Sequence, residues 1–289
     1  MSGLSIPSPV PFMISILSPK AHSSSPAAEP VVPTAFAPAQ VATGSNQQRL
    51  ERQVRQAVQQ QKAAQTPTAP IIALDRVSKV YANGTPALTE VSLTLNKGDF
   101  LFITGPSGAG KSTLLKMLYG EEQPTAGSVH INGQAIHQLR GNRLAMVRRR
   151  IGVVYQDYKL IPLRTVAENV AFVLHAQGYS RKEINRRLPV TLKMVGLQDK
   201  ADRFPSQLSG GEQQRASIAR AVVGTPPLLL ADEPTGNLDS DNARQVFNIL
   251  RKLNEIGITV VVTTHDEAMV RSLSYPVVQI RGHRLYHFS

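Results

Sequence analysis

The sequence predicts an α/β fold built on a mainly parallel sheet, with an N-terminal antiparallel β region and an inserted helical subdomain. Three observations support this prediction. From residue 71 onward, short β-branched runs alternate with amphipathic helical patterns, an arrangement typical of parallel sheets covered by helices. The first two strand-like runs of this region follow each other without a helix between them. A long, mostly helical stretch separates the later strands.

Composition limits the class of protein. The chain has 289 residues, of which 42% are hydrophobic, so it can fill the core of one large domain or two small ones. It contains no cysteine, which excludes disulfide bonds and thiolate zinc sites and fits a reducing compartment. No stretch approaches the roughly 20 consecutive apolar residues of a membrane-spanning helix. We therefore expect any membrane association to be peripheral or to depend on another subunit.

Residues 1–69 differ in composition from the rest of the chain. Pro, Ala, Ser and Gln dominate, acids are limited to Glu29 and Glu51, and large apolar side chains are scarce after Leu17. Because little apolar surface offsets the entropy of ordering, we predict a disordered tail. An acid-poor, Ser-rich start also resembles an organelle transit peptide. Within the tail, residues 47–62 fit either a basic helix or a polar linker.

The elements that follow the tail can be predicted in order along residues 70–289. We expect strands at 71–81 and 86–99, a buried strand at 99–105, and a helix at 111–120 that follows it directly. Further buried strands are predicted at 150–156, 226–234 and 258–266. Two amphipathic patterns, residues 165–178 and 180–197, predict helices within an inserted subdomain at about 157–205.

Residues 105–112 read GPSGAGKS and match G-x-x-x-x-G-K-[ST] at every fixed position, between a buried strand and a helix. Glycines let successive N–H groups turn toward phosphates, and the helix start adds partial positive charge. Lys111 is expected to reach the β- and γ-phosphates of ATP, and the Ser112 hydroxyl to bind Mg²⁺. The predicted nucleotide-binding residues of this loop are Gly105, Pro106, Ser107, Gly108, Ala109, Gly110, Lys111, Ser112 and Thr113.

An acidic pair follows a later apolar strand, in the run LLLADEP. We expect the strand to carry Asp232 to the carboxyl end of the sheet, where it would hold Mg²⁺ beside Ser112. Glu233 comes next, and a carboxylate at that position can act as the general base that activates water. A surface acid on a turn is the alternative interpretation of Glu233.

The phosphate loop, LSGGEQQR at 208–215, the Asp-Glu strand end, GNLD and TTHD occur in the order typical of ABC-type ATPases, which residues 71–285 resemble. The resemblance implies that Tyr81 stacks on adenine, that Gln156 senses Mg²⁺ and the attacking water, and that His265 contacts the γ-phosphate. It also implies that Asp239 crosses to a second subunit.

The run LSGGE resembles the family signature that binds the γ-phosphate of ATP held by the other subunit. Ser209 and the N–H groups of Gly210 and Gly211 at a helix start would form an anion site of the same kind as the phosphate loop. With one phosphate loop and one signature per chain, two closed sites require two chains placed head to tail. We therefore expect a homodimer with ATP at its interface.

Within the family, the runs QDYKLIPLRTVAENVAF and ADEPTGNLD are most similar to the FtsE-type cell-division ATPases. That resemblance implies pairing with a separate FtsX-like transmembrane subunit at the cytoplasmic face of the cell membrane, and control of cell-wall hydrolysis. ATPases of lipoprotein-release and macrolide-export transporters share ADEPTGNLD and are the alternative.

The net charge of +12 raises the question of a polyanionic partner. A DNA-acting ABC-type ATPase is disfavoured, because such proteins carry a long coiled coil or a cysteine-rich zinc insert between phosphate loop and signature, and this chain has neither. The basic residues of the helical insert can instead face anionic lipid or simply be solvated. They are Arg181, Lys182, Arg186, Arg187 and Lys193.

Overall fold

The computed structural model describes residues 69–271 and 273–288. Its strands, in chain order, are β1 Ile72–Val80, β2 Pro86–Leu95, β3 Phe100–Thr104, β4 Ala126–Ile131, β5 Gln134–Ala135, β6 Ile151–Val154, β7 Leu228–Asp232, β8 Thr259–Thr264, β9 Val277–Arg281 and β10 Arg284–Phe288. Its helices are α1 Lys111–Leu118, α2 Gly141–Arg148, α3 Val166–Ala176, α4 Arg181–Met194, α5 Gly210–Val222, α6 Ser240–Glu255 and α7 Glu267–Arg271.

The first sheet is antiparallel, with strand order β2-β1-β4-β5. A tight turn joins β1 to β2, closed by the Tyr81 N–H donating to Thr85 O at 2.9 Å. Apolar side chains alternate with polar ones along the second half of β2, so one face of the sheet is buried and the other is exposed to solvent. This sheet places Tyr81, at the end of β1, next to the start of α1.

The second sheet has the order β10-β9-β3-β8-β7-β6, in which only the outermost pair, β9 and β10, is antiparallel. All five residues of β3 and all six of β8 are buried. Strands covered on both faces need continuous apolar or β-branched runs, which FLFIT and TVVVTT supply. Because β3, β8 and β7 are neighbours, their carboxyl ends lie side by side.

The parallel sheet separates two hydrophobic cores, and successive residues of each strand face opposite cores. Leu101 and Ile103 of β3 pack with α1, α2 and the antiparallel sheet. Phe100 and Phe102 of the same strand pack with α3, α4, α5 and α6. Both faces of the parallel sheet are therefore covered by apolar side chains.

Most of the predicted elements are confirmed. The predicted strands correspond to β1, β2, β3, β6, β7 and β8, and the predicted helices to α1, α3 and α4. The helix α4 continues through Pro189, because Ile184 and Leu192 on either side of it are buried. The fold class is α/β with a mainly parallel sheet, as predicted.

Two segments differ from the sequence analysis. No strand is predicted beyond residues 258–266, but Val277–Arg281 and Arg284–Phe288 form the β9–β10 hairpin, and β9 pairs in parallel with β3. No element is predicted just before β6 either, but residues Gly141–Arg148 form helix α2. The predicted tail and its helix or linker at 47–62 lie outside the described residues, apart from Ala69. None of the described helices is long and apolar enough to cross a bilayer.

Candidate functional site

The carboxyl ends of β3, β7 and β8 bring together side chains that lie far apart in the sequence. The loop 105–112 follows β3, Asp232 ends β7, and His265 follows β8. In the sheet, Asp232 pairs with Thr263, and Thr104 with Thr264. The polar groups of three adjacent strands therefore meet at one edge of the sheet, where ligands bind in open α/β sheets.

Two glycines of the loop are required by close backbone approaches. A Cβ on Gly105, which has φ 147°, would lie 2.5 Å from the Ile280 carbonyl oxygen. A Cβ on Gly110, which has φ 105°, would lie 2.4 Å from the Ala87 carbonyl oxygen. Gly110 is also the residue that begins α1, with a left-handed backbone. The loop is thus shaped by contacts with both β9 and β2, and no residue with a side chain fits at these positions.

Lys111, the first residue of α1, is buried, with 5% of its side chain exposed. Its ammonium donates to Gly105 O at 2.9 Å and to Pro106 O at 3.2 Å. It also forms an ion pair with Glu233 Oε1 at 3.2 Å. A buried charge needs such partners, because desolvation would otherwise destabilise it. The ammonium therefore lies under the phosphate loop and beside the predicted base.

Asp232 and Ser112 bring two side-chain oxygens together. The Ser112 hydroxyl donates to Asp232 Oδ1 at 3.2 Å. A hydroxyl and a carboxylate at this separation fit Mg²⁺, which favours oxygen and takes one or two carboxylates together with substrate phosphates. Among the described residues, no group of three or more His, Asp or Glu side chains could hold a metal by itself. Mg²⁺ bound here would thus need the oxygens of a nucleotide.

Glu233 links three parts of the site. Its Oε2 lies 3.0 Å from His265 Nδ1, and its Oε1 contacts Lys111. Its backbone N–H donates to Thr263 Oγ1 at 3.1 Å. The residue has φ 45°, a left-handed conformation that few non-glycine residues adopt. The carboxylate is therefore held between the lysine of the phosphate loop and the histidine after β8.

Tyr81 lies beside the start of α1. Its hydroxyl is 3.0 Å from Thr113 Oγ1, and the Lys79 ammonium lies 5.1 Å from the centre of its ring. Thr113 is the last of the predicted nucleotide-binding residues of the loop. The ring thus lies at the rim of the phosphate loop, a place from which an aromatic can stack on a base.

Gln156 is exposed and lies just beyond the carboxyl end of β6, the strand next to β7. The segment after it turns sharply, since Tyr158 and Lys159 both have positive φ, 59° and 49°. The Arg220 guanidinium, on α5, donates to the carbonyls of both residues. Burial lowers the pKa of Arg220. This contact joins the segment after Gln156 to the helix that begins at the signature.

Ser209 caps α5 through a reciprocal pair of bonds with Glu212. Ser209 Oγ accepts from the Glu212 N–H at 3.3 Å, and Glu212 Oε2 accepts from the Ser209 N–H at 2.9 Å. The bond from the Ser209 N–H lowers the pKa of the Glu212 carboxyl. A Cβ on Gly211 would lie 2.0 Å from Asn242 Oδ1, so the second glycine lets α5 begin against α6.

Asp239 caps α6 beside the signature. Its Oδ1 accepts from the N–H groups of Asp241 and Asn242 at 3.1 and 2.9 Å, and its Oδ2 accepts from Asn242 Nδ2 at 2.7 Å. The bond from the Asn242 N–H is the main reason that the pKa of Asp239 is lowered. Asn242 Oδ1 in turn accepts from Arg215 of the signature helix at 3.2 Å. Asp239 and the signature are therefore one connected unit.

The predicted site residues thus fall into two groups. One contains Tyr81, the phosphate loop, Asp232, Glu233 and His265. The other contains Ser209, Gly210, Gly211 and Asp239. Within the described part of the chain, no hydrogen bond or ion pair joins Lys111, Asp232, Glu233 or His265 to the second group. Gln156 lies exposed outside both.

Sequence reasoning missed three side chains that hold the site together. They are Thr263 on β8, Arg220 on α5 and Asn242 on α6. The signal for Thr263 was a threonine pair where the apolar run of β8 ends. Arg220 and Asn242 carry no local signal, because their partners are backbone and side-chain groups distant in the sequence.

The sequence matches the ABC transporter family over residues 88–236. It is 47% identical to the cell division ATP-binding protein FtsE of Bacillus subtilis (strain 168) over 210 residues, which cover 73% of this chain and 92% of the relative. It is 44% identical to FtsE of Escherichia coli (strain K12) over 216 residues, which cover 75% of this chain and 97% of the relative.

Solved structures give the same result. A dimeric structure of the ATP-binding cassette MJ0796, in a post-hydrolysis state bound to ADP and Pi, superposes with a TM-score of 0.70 at 38% identity, and covers 75% of this chain and 98% of that one. The cbiO1 subunit of a Clostridium perfringens ABC transporter complex superposes with a TM-score of 0.70 at 28% identity, and covers 75% and 87%. The chain therefore belongs to the ABC transporter family, as an ATP-hydrolysing ATPase similar to the FtsE cell division ATP-binding proteins.

Proposed function

We propose that the chain is the Mg-ATP-hydrolysing subunit of a membrane complex, in which two copies close head to tail around two ATP molecules and drive a separate membrane subunit. The observation that carries this proposal is the division of the site into two groups. The groups around Lys111 and around Ser209 share no hydrogen bond or ion pair within the described chain. Each group would complete the site of the other copy.

The phosphate loop would bind ATP from one side. Its N–H groups and the start of α1 supply donors for the phosphates, and the Lys111 ammonium neutralises charge that builds up on them. Ser112 and Asp232 would hold Mg²⁺, which when bound neutralises charge on the β- and γ-phosphate oxygens. Tyr81 would stack on the adenine, and Gln156 would reach the metal and the water from the neighbouring strand end.

Glu233 would act as the general base. It takes a proton from the attacking water as the water oxygen bonds to the terminal phosphorus, and the bond from that phosphorus to the ADP oxygen breaks. His265, 3.0 Å from Glu233 Oε2, would orient this carboxylate and contact the γ-phosphate. Lys111 pairs with the same carboxylate, so the base is held close to where the γ-phosphate would bind.

The second copy would supply the signature. Ser209 and the N–H groups of Gly210 and Gly211 would donate to the γ-phosphate, and Asp239 would cross the interface beside them. Reversing a 1:99 population of closed dimer takes about 5.5 kcal/mol of differential binding. Two bridging γ-phosphates would favour the closed dimer, and hydrolysis would remove that link.

Glu233→Gln tests the dimer. The substitution keeps the size of the side chain but removes the base, so ATP should bind and remain intact. We expect the variant to form a stable dimer with ATP and a monomer with ADP, measured by light scattering. A monomer in saturating Mg-ATP would contradict the proposal. The double variant Glu233→Gln with Lys111→Ala is the control, because without phosphate binding it should stay monomeric.

We propose an FtsX-like protein as the membrane partner, with the chain at the cytoplasmic face of the membrane and a role in control of cell-wall hydrolysis during division. The FtsE relatives support this assignment. The surface near the segment after Gln156 supports the assignment as well. There the Leu163 side chain is 90% exposed, and the Arg164 guanidinium lies 4.9 Å from the centre of the partly exposed Phe172 ring.

The segment that presents Leu163 is hydrogen-bonded to a buried side chain. Asn169 of α3 is fully buried, and its Oδ1 accepts from the Ile161 N–H at 2.8 Å. Its Nδ2 lies within 3.1 Å of the carbonyl oxygens of Ile161, Arg164 and Thr165. We propose that Leu163, together with the partly exposed Phe172 ring beside Arg164, forms part of the surface that the membrane subunit covers.

A further inference from the structure

The strand β8 carries a fully buried hydroxyl group, that of Thr263. Its neighbours in the sheet are β3, which leads to the phosphate loop, and β7, which ends at Asp232. Thr263 has 0% exposure and pairs with Ile103 of β3 on one side and with Asp232 of β7 on the other. The three residues before it are Val260, Val261 and Val262, and Thr264 follows it at the end of the strand. A buried hydroxyl destabilises a protein unless it is hydrogen-bonded, whereas valine would fill the same space without that requirement.

The Thr263 hydroxyl bonds to both members of the acidic pair. It donates to Asp232 Oδ1 at 2.6 Å, while the Ala231 carbonyl, at 3.4 Å, is a much weaker acceptor. As an acceptor, the same oxygen receives the Glu233 N–H at 3.1 Å. The Thr263 hydroxyl thus donates its single hydrogen to Asp232 and accepts the Glu233 N–H with a lone pair.

We propose that Thr263 is a positioning residue for ATP hydrolysis, which fixes Asp232 and Glu233 relative to each other through one hydroxyl group. The inference rests on the roles proposed above for those two acids. Thr263 itself touches neither nucleotide nor water in this scheme. It acts by setting the direction of one carboxylate and the backbone of the other.

The effect on Asp232 is orientation. Its Oδ1 accepts from Thr263 and from Ser112, which approach from β8 and from α1. Two donors on one oxygen fix the plane of the carboxylate, so its rotation no longer has to be restricted when Mg²⁺ binds. Short hydrogen bonds to a charged acceptor are among the stronger ones in proteins.

The effect on Glu233 is to hold an uncommon backbone. With φ 45°, the residue leaves the strand sharply, while its N–H keeps the last bond of the ladder to β8. Both the Thr263 carbonyl and the Thr263 hydroxyl, each at 3.1 Å, accept from that N–H. Strained backbone persists only where surrounding bonds determine it, so Thr263 keeps the base directed at Lys111 and His265.

Thr263→Val tests the inference in the full chain. Valine keeps the shape and apolar packing but removes the hydroxyl. We expect kcat to fall about tenfold, as for loss of a hydrogen bond to a charged group, and the Mg²⁺ concentration for half-maximal activity to rise. In a Glu233→Gln background, ATP affinity should weaken in Mg²⁺ but stay unchanged in EDTA. Thr263→Ser, which keeps the hydroxyl, should behave as the parent in all three measurements.

Thr259→Val is the matched control. Thr259 lies at the other end of β8, is equally buried, and accepts the Gly98 N–H at 2.9 Å. This variant should lose stability without a change in kcat or in the Mg²⁺ requirement. If Thr263→Val and Thr259→Val lost the same activity, Thr263 would have only a structural role, and the inference would be wrong.

The failure of this inference can be told apart from failure of the proposed function. If Asp232→Asn and Glu233→Gln abolish hydrolysis while Thr263→Val keeps parental kcat and Mg²⁺ dependence, the function stands and the positioning role is refuted. If Asp232→Asn and Glu233→Gln retain full hydrolysis, the roles of the two acids are wrong, and the inference falls with them.

Discussion

At the residue scale, the two adjacent acids Asp232 and Glu233 have different hydrogen-bond partners. Asp232 ends β7 and bonds to the hydroxyls of Ser112 and Thr263. Glu233, one residue later, turns away through a positive φ and bonds to Lys111 and His265. Strain of this kind costs on the order of 1–3 kcal/mol. The strained residue is the one proposed as the base.

Ser209→Arg tests whether the signature serves the nucleotide of its own chain. Among the described residues, no hydrogen bond or ion pair joins Ser209 to the group around Lys111. The variant should therefore lose hydrolysis while the monomer keeps parental affinity for ATP. Loss of the cap would also destabilise α5 by about 1 kcal/mol. Steady-state turnover and fluorescent-nucleotide titration at monomeric concentration would measure the two properties.

Lys111→Ala is the comparison for that experiment. It should weaken nucleotide binding by the monomer, since Lys111 lies within the phosphate loop. A Ser209→Arg monomer that lost affinity as strongly as Lys111→Ala would show that both groups bind one nucleotide, and the head-to-tail arrangement would be wrong.

Individual site residues were predictable where a motif fixes spacing. Lys111, Ser112 and Asp232 follow from local patterns before and after strands, whereas His265 is identified by the family resemblance alone. The bond between Lys111 and Glu233 was not predictable, because it depends on the order β3-β8-β7 within the sheet and on the backbone turn at Glu233. Such facts arise only when distant segments pack.

At the element scale, three helices begin with the same capping box. Thr165 with Glu168, Ser180 with Glu183, and Ser209 with Glu212 each form a reciprocal cap in which the hydroxyl and the carboxylate satisfy backbone N–H groups. In α3 and α4 this cap only starts a helix. In α5 the same cap also holds the residues proposed to donate to the γ-phosphate.

The cap of α5 makes stability depend on pH. Because the pKa of Glu212 is lower in the folded chain than in the unfolded one, its stabilising effect is present above the unfolded pKa and is lost as pH falls through the folded value. At neutral pH, Glu212→Gln should lower the melting temperature by about 1–4 °C, because the amide still accepts the Ser209 N–H but the charge near the helix N-terminus, which contributes about 0.3–1 kcal/mol, is lost. The difference should shrink below pH 4, measured by differential scanning calorimetry.

Glu255→Gln is a suitable control for the pH experiment. Glu255 is the last residue of α6, where its side chain is exposed and pairs with Arg251 at 3.7 Å. We expect its melting temperature to follow that of the parent at every pH, since exposed pairs contribute little. A gap for Glu212→Gln that stayed constant down to pH 3 would contradict the assignment.

Elements with a clear period were predictable, and those fixed by long-range pairing were not. The sequence alone is enough to recognise the buried runs of β3, β7 and β8 and the amphipathic patterns of α3 and α4. The C-terminal hairpin did not, because β9 is a strand only by virtue of pairing with β3, far away in the sequence.

At the scale of the whole molecule, the apolar surface near Leu163 should determine partner binding. Leu163→Asp places a charge on a side chain that is already 90% exposed, so folding and ATP turnover of the isolated chain should be unaffected. We expect at least tenfold weaker recovery of an FtsX-like subunit from detergent-extracted membranes, with the captured protein identified by mass.

The matched control is Ile256→Asp, which alters another exposed apolar residue, 68% exposed, at the end of α6. It should recover the membrane subunit as well as the parent does. Equal recovery by Leu163→Asp and the parent would show that the partner docks elsewhere. Capture of a lipoprotein-release or macrolide-export subunit instead would keep the surface but change the assigned process.

One helix, α5, touches both parts of the proposed cycle. Ser209 lies at its start, and Arg220 near its end holds the carbonyls of Tyr158 and Lys159. Thirteen residues make a rod about 20 Å long. A membrane subunit that binds the segment after Gln156 with different affinity in the open and closed dimers must therefore change the affinity of the chain for ATP. By linkage, ATP changes the affinity of the chain for the membrane subunit by the same factor. Nucleotide affinities measured on the chain alone would then differ from those of the complex by that factor.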